Sequence, residues 1–428
     1  MTPEKILSEL IKINTANPPG NETTAARYLA GLLQQASIDC EIIEPAAGRG
    51  SLLARLGSGS KKLLYMSHLD VVPAGDGWDF EPFSGEIKDG MVYGRGAIDC
   101  KDLAAAGVCA ALQLAKEGIP LNGELIIAAT ADEEQGGELG AGYLTANCPE
   151  KIQADFAINE GAPHPLSFNG KVIYFIQVGE KGTAWTNIKA RGVSCHGSTP
   201  ALGDNAVVKM SRAVTALADY QPEIVLVPEL FSLLKELARV RGLDIEPTPY
   251  NTDELLEKLN LDHAFTEMLR AMTRITISPN IIRGGIKTNI VPDSCEGELD
   301  IRILPGQNAD YVLQELFQLL GAGVETALTE YQEPTFTSSQ TEPYWLIAEL
   351  TEELAAPNAV CLPIISTGST DSKYLRNIGI PAYGIGHMDA GYDPDISTTM
   401  HGCNERTDIK SLYLKTRFLV ELARRYLS

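Results

Sequence analysis

The sequence predicts an α/β fold: a mixed, largely parallel sheet flanked by helices, with a smaller α+β domain of ferredoxin-like order inserted into it. Three observations carry this reading. Short apolar runs alternate with helical stretches in the first part of the chain, the mark of a parallel sheet. Near Gly179 the pattern changes to β-α-β-β-α-β, the split βαβ order, and after residue 332 the alternation returns. The length of 428 residues fits two domains at about 150 residues each.

The elements follow in order. Residues 3–13 place Ile6, Leu7, Leu10, Ile11 and Ile13 on one helical face. The turn Asn17-Pro18-Pro19-Gly20 stops that helix, and a second runs over 22–36. Strands are expected at 62–66, 124–130 and 154–158, with an Ala-rich helix at 101–116 that ends at Gly118 and Pro120. Beyond Gly179 come a strand at 183–190, a helix at 205–217, a mostly helical insertion at 222–263, strands at 274–281 and 290–302, a helix at 309–320 and a strand at 324–331. The resulting divisions are 1–178, 179–332 and 333–428, the first and last forming one domain.

Composition narrows the function. Hydrophobic residues at 44% and charged residues at 21% are ordinary for a globular protein. A formal charge of −21 repels phosphate backbones and anionic lipid, so neither nucleic acid nor a membrane surface is an expected partner. There is no basic segment followed by an apolar leader, and no run of about 18 apolar residues. The cysteines at 40, 100, 109, 148, 195, 295, 361 and 403 form no CxxC pair. Reduced thiols and a cytoplasmic location are expected.

The chemistry gathers at strand ends. One apolar strand runs into Ser67-His68-Leu69-Asp70, another into Asp132-Glu133-Glu134, a third into Asn159-Glu160. Asp99 opens the Ala-rich helix. Each has a plainer reading: a loop histidine, a solvated acid pair, a helix N-cap. Their coincidence favours a site, because ligands of open α/β sheets bind beyond the carboxyl ends of the strands. Imidazole with carboxylates suits Zn²⁺, Mn²⁺ or Co²⁺. A metal pair needs a shared carboxylate, for which Asp99 is the natural choice, and a second imidazole, for which His401 in Met400-His401-Gly402-Cys403-Asn404-Glu405-Arg406 is the best candidate. Asp70 is placed to fix the His68 tautomer. Glu133, beside a ligand without being one, is placed to take a proton.

The block Ser67-His68-Leu69-Asp70-Val71-Val72-Pro73, Trp78, Pro82-Phe83, Asp89-Gly90 and Tyr93-Gly94-Arg95-Gly96-Ala97-Ile98-Asp99, continued by Asp132-Glu133-Glu134, Asn159-Glu160-Gly161 and His401 to Arg406, resembles the dinuclear-zinc family of aminoacylase, acetylornithine deacetylase, succinyl-diaminopimelate desuccinylase and glutamate carboxypeptidase. The resemblance covers almost the whole chain. It implies a zinc exopeptidase-like catalytic domain with an inserted lid and dimerisation domain. It implies that His68 and Glu160 hold one metal, that Glu134 and His401 hold the other, and that Asp99 bridges them. Asp70 would orient His68, and Glu133 would be the general base. A lid histidine, here His196, would steady the oxyanion in a homodimer. Asn289, Arg302 and the loop carrying Gly368 and Ser369 would meet the substrate carboxylate. Cys100 and Asp102 depart from the usual residues without removing a ligand.

The expected reaction is hydrolysis of an amide bond of an N-acyl amino acid or short peptide, of deacylase or carboxypeptidase type. It would use two divalent ions, Zn²⁺ or alternatively Co²⁺ or Mn²⁺. An aminopeptidase or dipeptidase is the alternative, followed by a non-catalytic binding protein on the same fold. Gly94-Arg95-Gly96 lacks the remaining glycine of a dinucleotide fingerprint, which argues against a dehydrogenase.

Overall fold

The computed structural model describes every residue except Ile119. It divides into two compact units, one of residues 1–178, 337–364 and 370–428, the other of residues 179–336 and 365–369.

The first unit is built on a mixed sheet. Lys61–His68 lies between Gly123–Thr130 and Phe156–Asn159, parallel to both, and Ala382–Ile385 continues the parallel set beside Phe156–Asn159. Antiparallel strands flank it: Asp39–Ile43 and Ser51–Gly57 on one side, Lys171–Glu180 on the other. The parallel strands read as near-continuous apolar runs because both faces are covered. Leu63, Tyr65, Leu125, Ile127, Phe156 and Ile158 join one core cluster; Leu64, Met66, Ile126, Ala128 and Ala157 join another.

Helix Lys101–Glu117 has almost its whole first three turns buried. Its run of alanines and Gly107 makes this possible, since small side chains let neighbouring elements approach. Gly118 closes it in the left-handed conformation at φ 63°. Asp102 is buried and paired with Lys415 of the final helix, Ile409–Leu427.

Registers explain why the strand ends converge. Ser67 pairs with Ala129 and His68 with Thr130, while Tyr65 pairs with Ile158. The segments after His68, Thr130 and Asn159 therefore leave the sheet at one edge. A smaller sheet supplies the remaining two loops. Met91–Tyr93 pairs with both Ile87–Lys88 and Arg406–Asp408, with Tyr93 opposite Arg406. Asp99 follows one of these strands and His401 precedes another, so their loops leave the same small sheet.

The second unit contains a four-stranded antiparallel sheet in the order Thr276–Gly284, Ser294–Ile303, Gly182–Arg191, Val324–Gln332. Helices Ala206–Asp219 and Ala309–Leu320 pack on its apolar face through Met210, Leu217, Val312 and Leu316. The expected strand over 290–302 is two strands, Ile290–Val291 and Ser294–Ile303, because Pro292 has no amide hydrogen to continue a ladder. The helical insertion extends further than 263. A third helix, His263–Met272, follows Pro228–Arg241 and Thr252–Leu259, and Asp262 caps it by accepting from the Phe265 amide. Among the described residues no helix is long and apolar enough to cross a membrane.

Candidate metal centre

His68 and His401 face one carboxylate from opposite oxygens. His68 Nε2 lies 3.0 Å from Asp99 Oδ1, and His401 Nε2 lies 2.9 Å from Asp99 Oδ2. His401 Nε2 is also 3.4 Å from Glu134 Oε2, and Glu133 Oε2 stands 3.9 Å from His68 Nε2. Glu160 belongs to the same neighbourhood: its charge acts on both Glu133 and Cys100. The expected residues of this cluster are thus brought together, although they come from five separate segments of the chain.

The electrostatics follow from burial and from the two imidazoles. Burial would raise the Asp99 carboxyl, but hydrogen bonds from His401 and His68 outweigh it and hold Asp99 well below the usual carboxylate range. His401, half exposed, is pushed up to about 10 by its hydrogen bonds to Asp99 and Glu134. Glu133 moves the other way. Burial, and then the charges of Glu160, Asp371 and Glu134, raise its pKa well above the ordinary value against the opposing pull of His68.

The donor set fits divalent cations. In this structure Asp99 faces one imidazole nitrogen on each of its oxygens. Neutral imidazoles would offer the same Nε2 lone pairs, and with the carboxylates they would make a donor set for divalent cations. Asp99, Glu134 and His401 offer donor atoms within 4.8 Å of one another, as do His68, Asp99 and Cys100. Cys100 was not an expected donor. Its thiol is buried, its pKa is raised by that burial, and its sulfur lies 3.3 Å from the His68 amide. It packs against the strand end.

Asp70 differs from expectation in which atom it presents. His68 Nδ1 faces the Asp70 carbonyl oxygen at 2.9 Å, while the nearer carboxylate oxygen is 3.6 Å away. That carboxylate is engaged elsewhere: the amides of Glu133 and Glu134 donate to its two oxygens, each at 3.0 Å. Asp70 thus meets the imidazole with its main-chain carbonyl and, as a charge 3.6 Å away, with its carboxylate, and the same carboxylate holds the acidic turn.

Two supporting residues had no assigned role in the sequence reading. Glu405, fully buried, accepts from the Ile98 amide at 2.9 Å and the Asp99 amide at 3.3 Å. Arg95, also buried, donates to Glu405 at 2.5 Å and to the carbonyls of His401 and Gly402 at 3.3 and 2.8 Å. One ion pair therefore sets the spacing of the Asp99 and His401 loops. His401 itself is left-handed, φ 58°, and Arg95 pins it there by its carbonyl. Asp371 is the second acid near Glu133. Thr130 Oγ1 donates to it at 2.7 Å, and burial pushes its carboxyl up to about 7.

The expected substrate residues lie in the second unit. His196 and Asn289 meet on a small ribbon: His196 pairs with Ile290, and the Gly197 amide donates to the Asn289 carbonyl at 2.8 Å. The exposed His196 ring is held by Ser198 Oγ at 2.7 Å. Arg302 is already engaged. Its Nε and Nη2 donate to the two oxygens of Asp300 at 2.7 and 3.2 Å, and Nη1 donates to Thr183 Oγ1 at 2.9 Å. The Gly368 amide donates to Ser366 Oγ at 3.1 Å, and Gln332 donates to Ser369 Oγ at 2.9 Å.

Carboxylates and imidazoles gathered beyond the carboxyl ends of a parallel sheet define a metal-dependent hydrolase of α/β architecture. The sequence model of peptidase family M20/M25/M40 matches residues 64–425, and the chain belongs to that family. It is an enzyme acting on amide bonds. It is 27% identical over 404 residues, 91% of each chain, to a probable succinyl-diaminopimelate desuccinylase of Staphylococcus epidermidis. It is 26% identical over 373 residues, 84% of this chain and 73% of the relative, to an N-fatty-acyl-amino acid synthase/hydrolase of Homo sapiens. Its fold matches the crystal structure of an M20 family metallo-carboxypeptidase from Sulfolobus solfataricus with a TM-score of 0.75, at 22% identity over 100% of this chain and 99% of the other.

Proposed function

We propose that the protein hydrolyses the amide bond of an N-acyl amino acid or a short peptide bearing a free carboxylate, with two divalent ions and Glu133 as general base. The observation that carries this is the single carboxylate of Asp99 facing two imidazoles through opposite oxygens, with a raised-pKa carboxylic acid, Glu133, beside it. His68 and Glu160 would hold one ion, Glu134 and His401 the other, and Asp99 both. Zinc suits this donor set, as do cobalt and manganese. Bound ions of this kind polarise a carbonyl and make water a better nucleophile near neutral pH.

Glu133 takes the proton of the attacking water and returns it to the departing amine. Burial among other acids gives it the basicity that this exchange needs. In a homodimer the lid histidine His196 would reach the other subunit's site and steady the developing oxyanion, and Asn289, Arg302, Gly368 and Ser369 would meet the substrate's carboxylate. For Arg302 this requires exchanging Asp300 for the substrate. The deciding assay offers N-acyl amino acids, dipeptides and free-amino tripeptides to metal-free enzyme reloaded with Zn²⁺, Mn²⁺ or Co²⁺. Cleavage that requires a free amino group and always releases the amino-terminal residue would replace this reading with an aminopeptidase.

Substituting His68 by alanine is expected to weaken metal binding, so that dialysed protein holds fewer ions per chain than the parent. Unchanged metal content would remove His68 from the ligand set. We also propose a homodimer formed along the edge strand Thr276–Gly284, where Ile281 and Ile282 are exposed. Ile282→Lys should shift the molecular mass measured by light scattering from dimer to monomer; a monomeric parent would exclude the interface. Eight unpaired cysteines fit a reducing compartment, and we assign the protein to the cytoplasm.

A further inference from the structure

A buried polar network continues from Asp70 into a part of the chain that precedes the residues matched by the family model. Asn17 Nδ2 donates to Asp70 Oδ2 at 2.9 Å and to Asp132 Oδ1 at 3.2 Å. Arg49 Nη1 donates to Asn17 Oδ1 at 3.3 Å, and its Nη2 to Asp132 Oδ1 at 2.7 Å. The guanidinium also grips Glu22, through Nε at 2.9 Å and Nη2 at 2.8 Å. The Leu139 amide donates to the second Asp132 oxygen at 2.9 Å. Asn17, Glu22, Asp70 and Asp132 are all buried, and the Arg49 side chain is 11% exposed.

Two features show that this is more than a crosslink between a helix and the loop before a strand. A crosslink needs one acid, and the Arg49–Glu22 pair already supplies it. Arg49 is nevertheless shared with Asp132 and Asn17, both of which lead towards the site. Asp132 is also left-handed, φ 74°, a conformation that aspartate adopts more readily than most side chains when its carboxylate is hydrogen-bonded nearby. Its carboxylate is held from Arg49, Asn17 and Leu139. The same turn sends the next two amides to Asp70 and brings the Glu133 carboxylate near His68.

The geometry points to Arg49 as a positioning residue for Glu133: acting through Asp132 and Asn17, its guanidinium keeps the Asp132–Glu134 turn seated on Asp70. This rests on the reading of Glu133 as the general base. Lysine cannot substitute, because the two arms of one fork serve Asn17 and Asp132 together.

The test compares Arg49→Ala, Arg49→Lys and Glu22→Gln in metal-loaded, full-length protein. Arg49→Ala should retain its metal content and lose kcat on the order of 10²-fold, with KM moving by less than about threefold. Added guanidinium below denaturing concentration should restore part of kcat, and Arg49→Lys should restore little. The ligand-field absorption of the Co²⁺-loaded Arg49→Ala protein should differ from that of the parent, because Glu134 moves with the turn. Glu22→Gln keeps an acceptor for the Asp132 amide, which lies 3.3 Å from Glu22 Oε1. It should lower Tm and leave kcat unchanged.

Parental kcat and Co²⁺ absorption in Arg49→Ala would overturn the proposal. So would equal losses in Arg49→Ala and Glu22→Gln that follow Tm and ignore guanidinium. If the parent binds Co²⁺ but cleaves no amide, the proposed function fails. The Co²⁺ spectrum of Arg49→Ala then decides alone, a shift supporting the positioning role and an unchanged spectrum overturning it.

Discussion

Glu133→Ala is expected to retain its metal content while losing nearly all turnover, on the order of 10²–10⁴-fold in kcat, the range of a lost general acid–base group. The geometry separates this residue from its neighbour. Glu134 accepts from the Val72 amide at 3.2 Å and faces His401 at 3.4 Å, so it is held at both oxygens. Glu133 approaches His68 only to 3.9 Å and is free to exchange a proton. Glu133→Gln, which keeps the shape but cannot take a proton at neutral pH, should lose as much. Metal analysis with steady-state kinetics checks both: a large loss of metal would make Glu133 a ligand, and an active variant would remove it from the chemistry.

The second large effect is on stability. Removing Arg95 leaves Glu405 buried without its cation, and breaking a buried pair in this way costs about 3–5 kcal/mol. Arg95 and Glu405 side chains are 1% and 0% exposed, so water cannot compensate. Arg95→Met should lower the denaturant midpoint and also loosen metal binding, because the Asp99 amide and the His401 carbonyl lose their shared anchor. The pH dependence has a definite sign. Burial already pushes the Glu405 carboxyl up to about 7, against the pull of Arg95. A raised folded-state pKa means that stability is full below the unfolded value near 4.5 and declines as pH rises through about 7. The Arg95→Met penalty should therefore be smallest under mildly acidic conditions and grow towards alkaline pH. Denaturation curves across that window test it; a pH-independent penalty would mean that Glu405 is not the group left uncompensated.

What the sequence revealed was the part governed by local pattern. Apolar runs ending at His68, Thr130 and Asn159 are parallel strands, and parallel strands deliver their ends to one edge, so the cluster followed from periodicity together with residue type. The supports were hidden. Arg95 sat in a glycine-containing loop and Glu405 among polar loop residues, and nothing local says that one will hold the other across most of the chain. Asn17 and Arg49 were hidden for the same reason: a hydrogen bond has no period. Asp70 stands next to His68, yet sequence cannot say whether its carbonyl or its carboxylate comes nearer the ring. The third helix of the insertion needed only the cap residue Asp262 to be noticed, whereas the break at Pro292 lay within an otherwise strand-like run.

The pairing of Tyr93 with Arg406 also makes the cluster a product of chain closure. Asp99 and His401 lie far apart along the polymer, and the helix after His401 docks against the sheet, with Tyr65 donating to the Leu419 carbonyl at 2.5 Å. A message with a premature stop codon ahead of His401 therefore yields a polypeptide in which Asp99 has lost one of its two imidazoles.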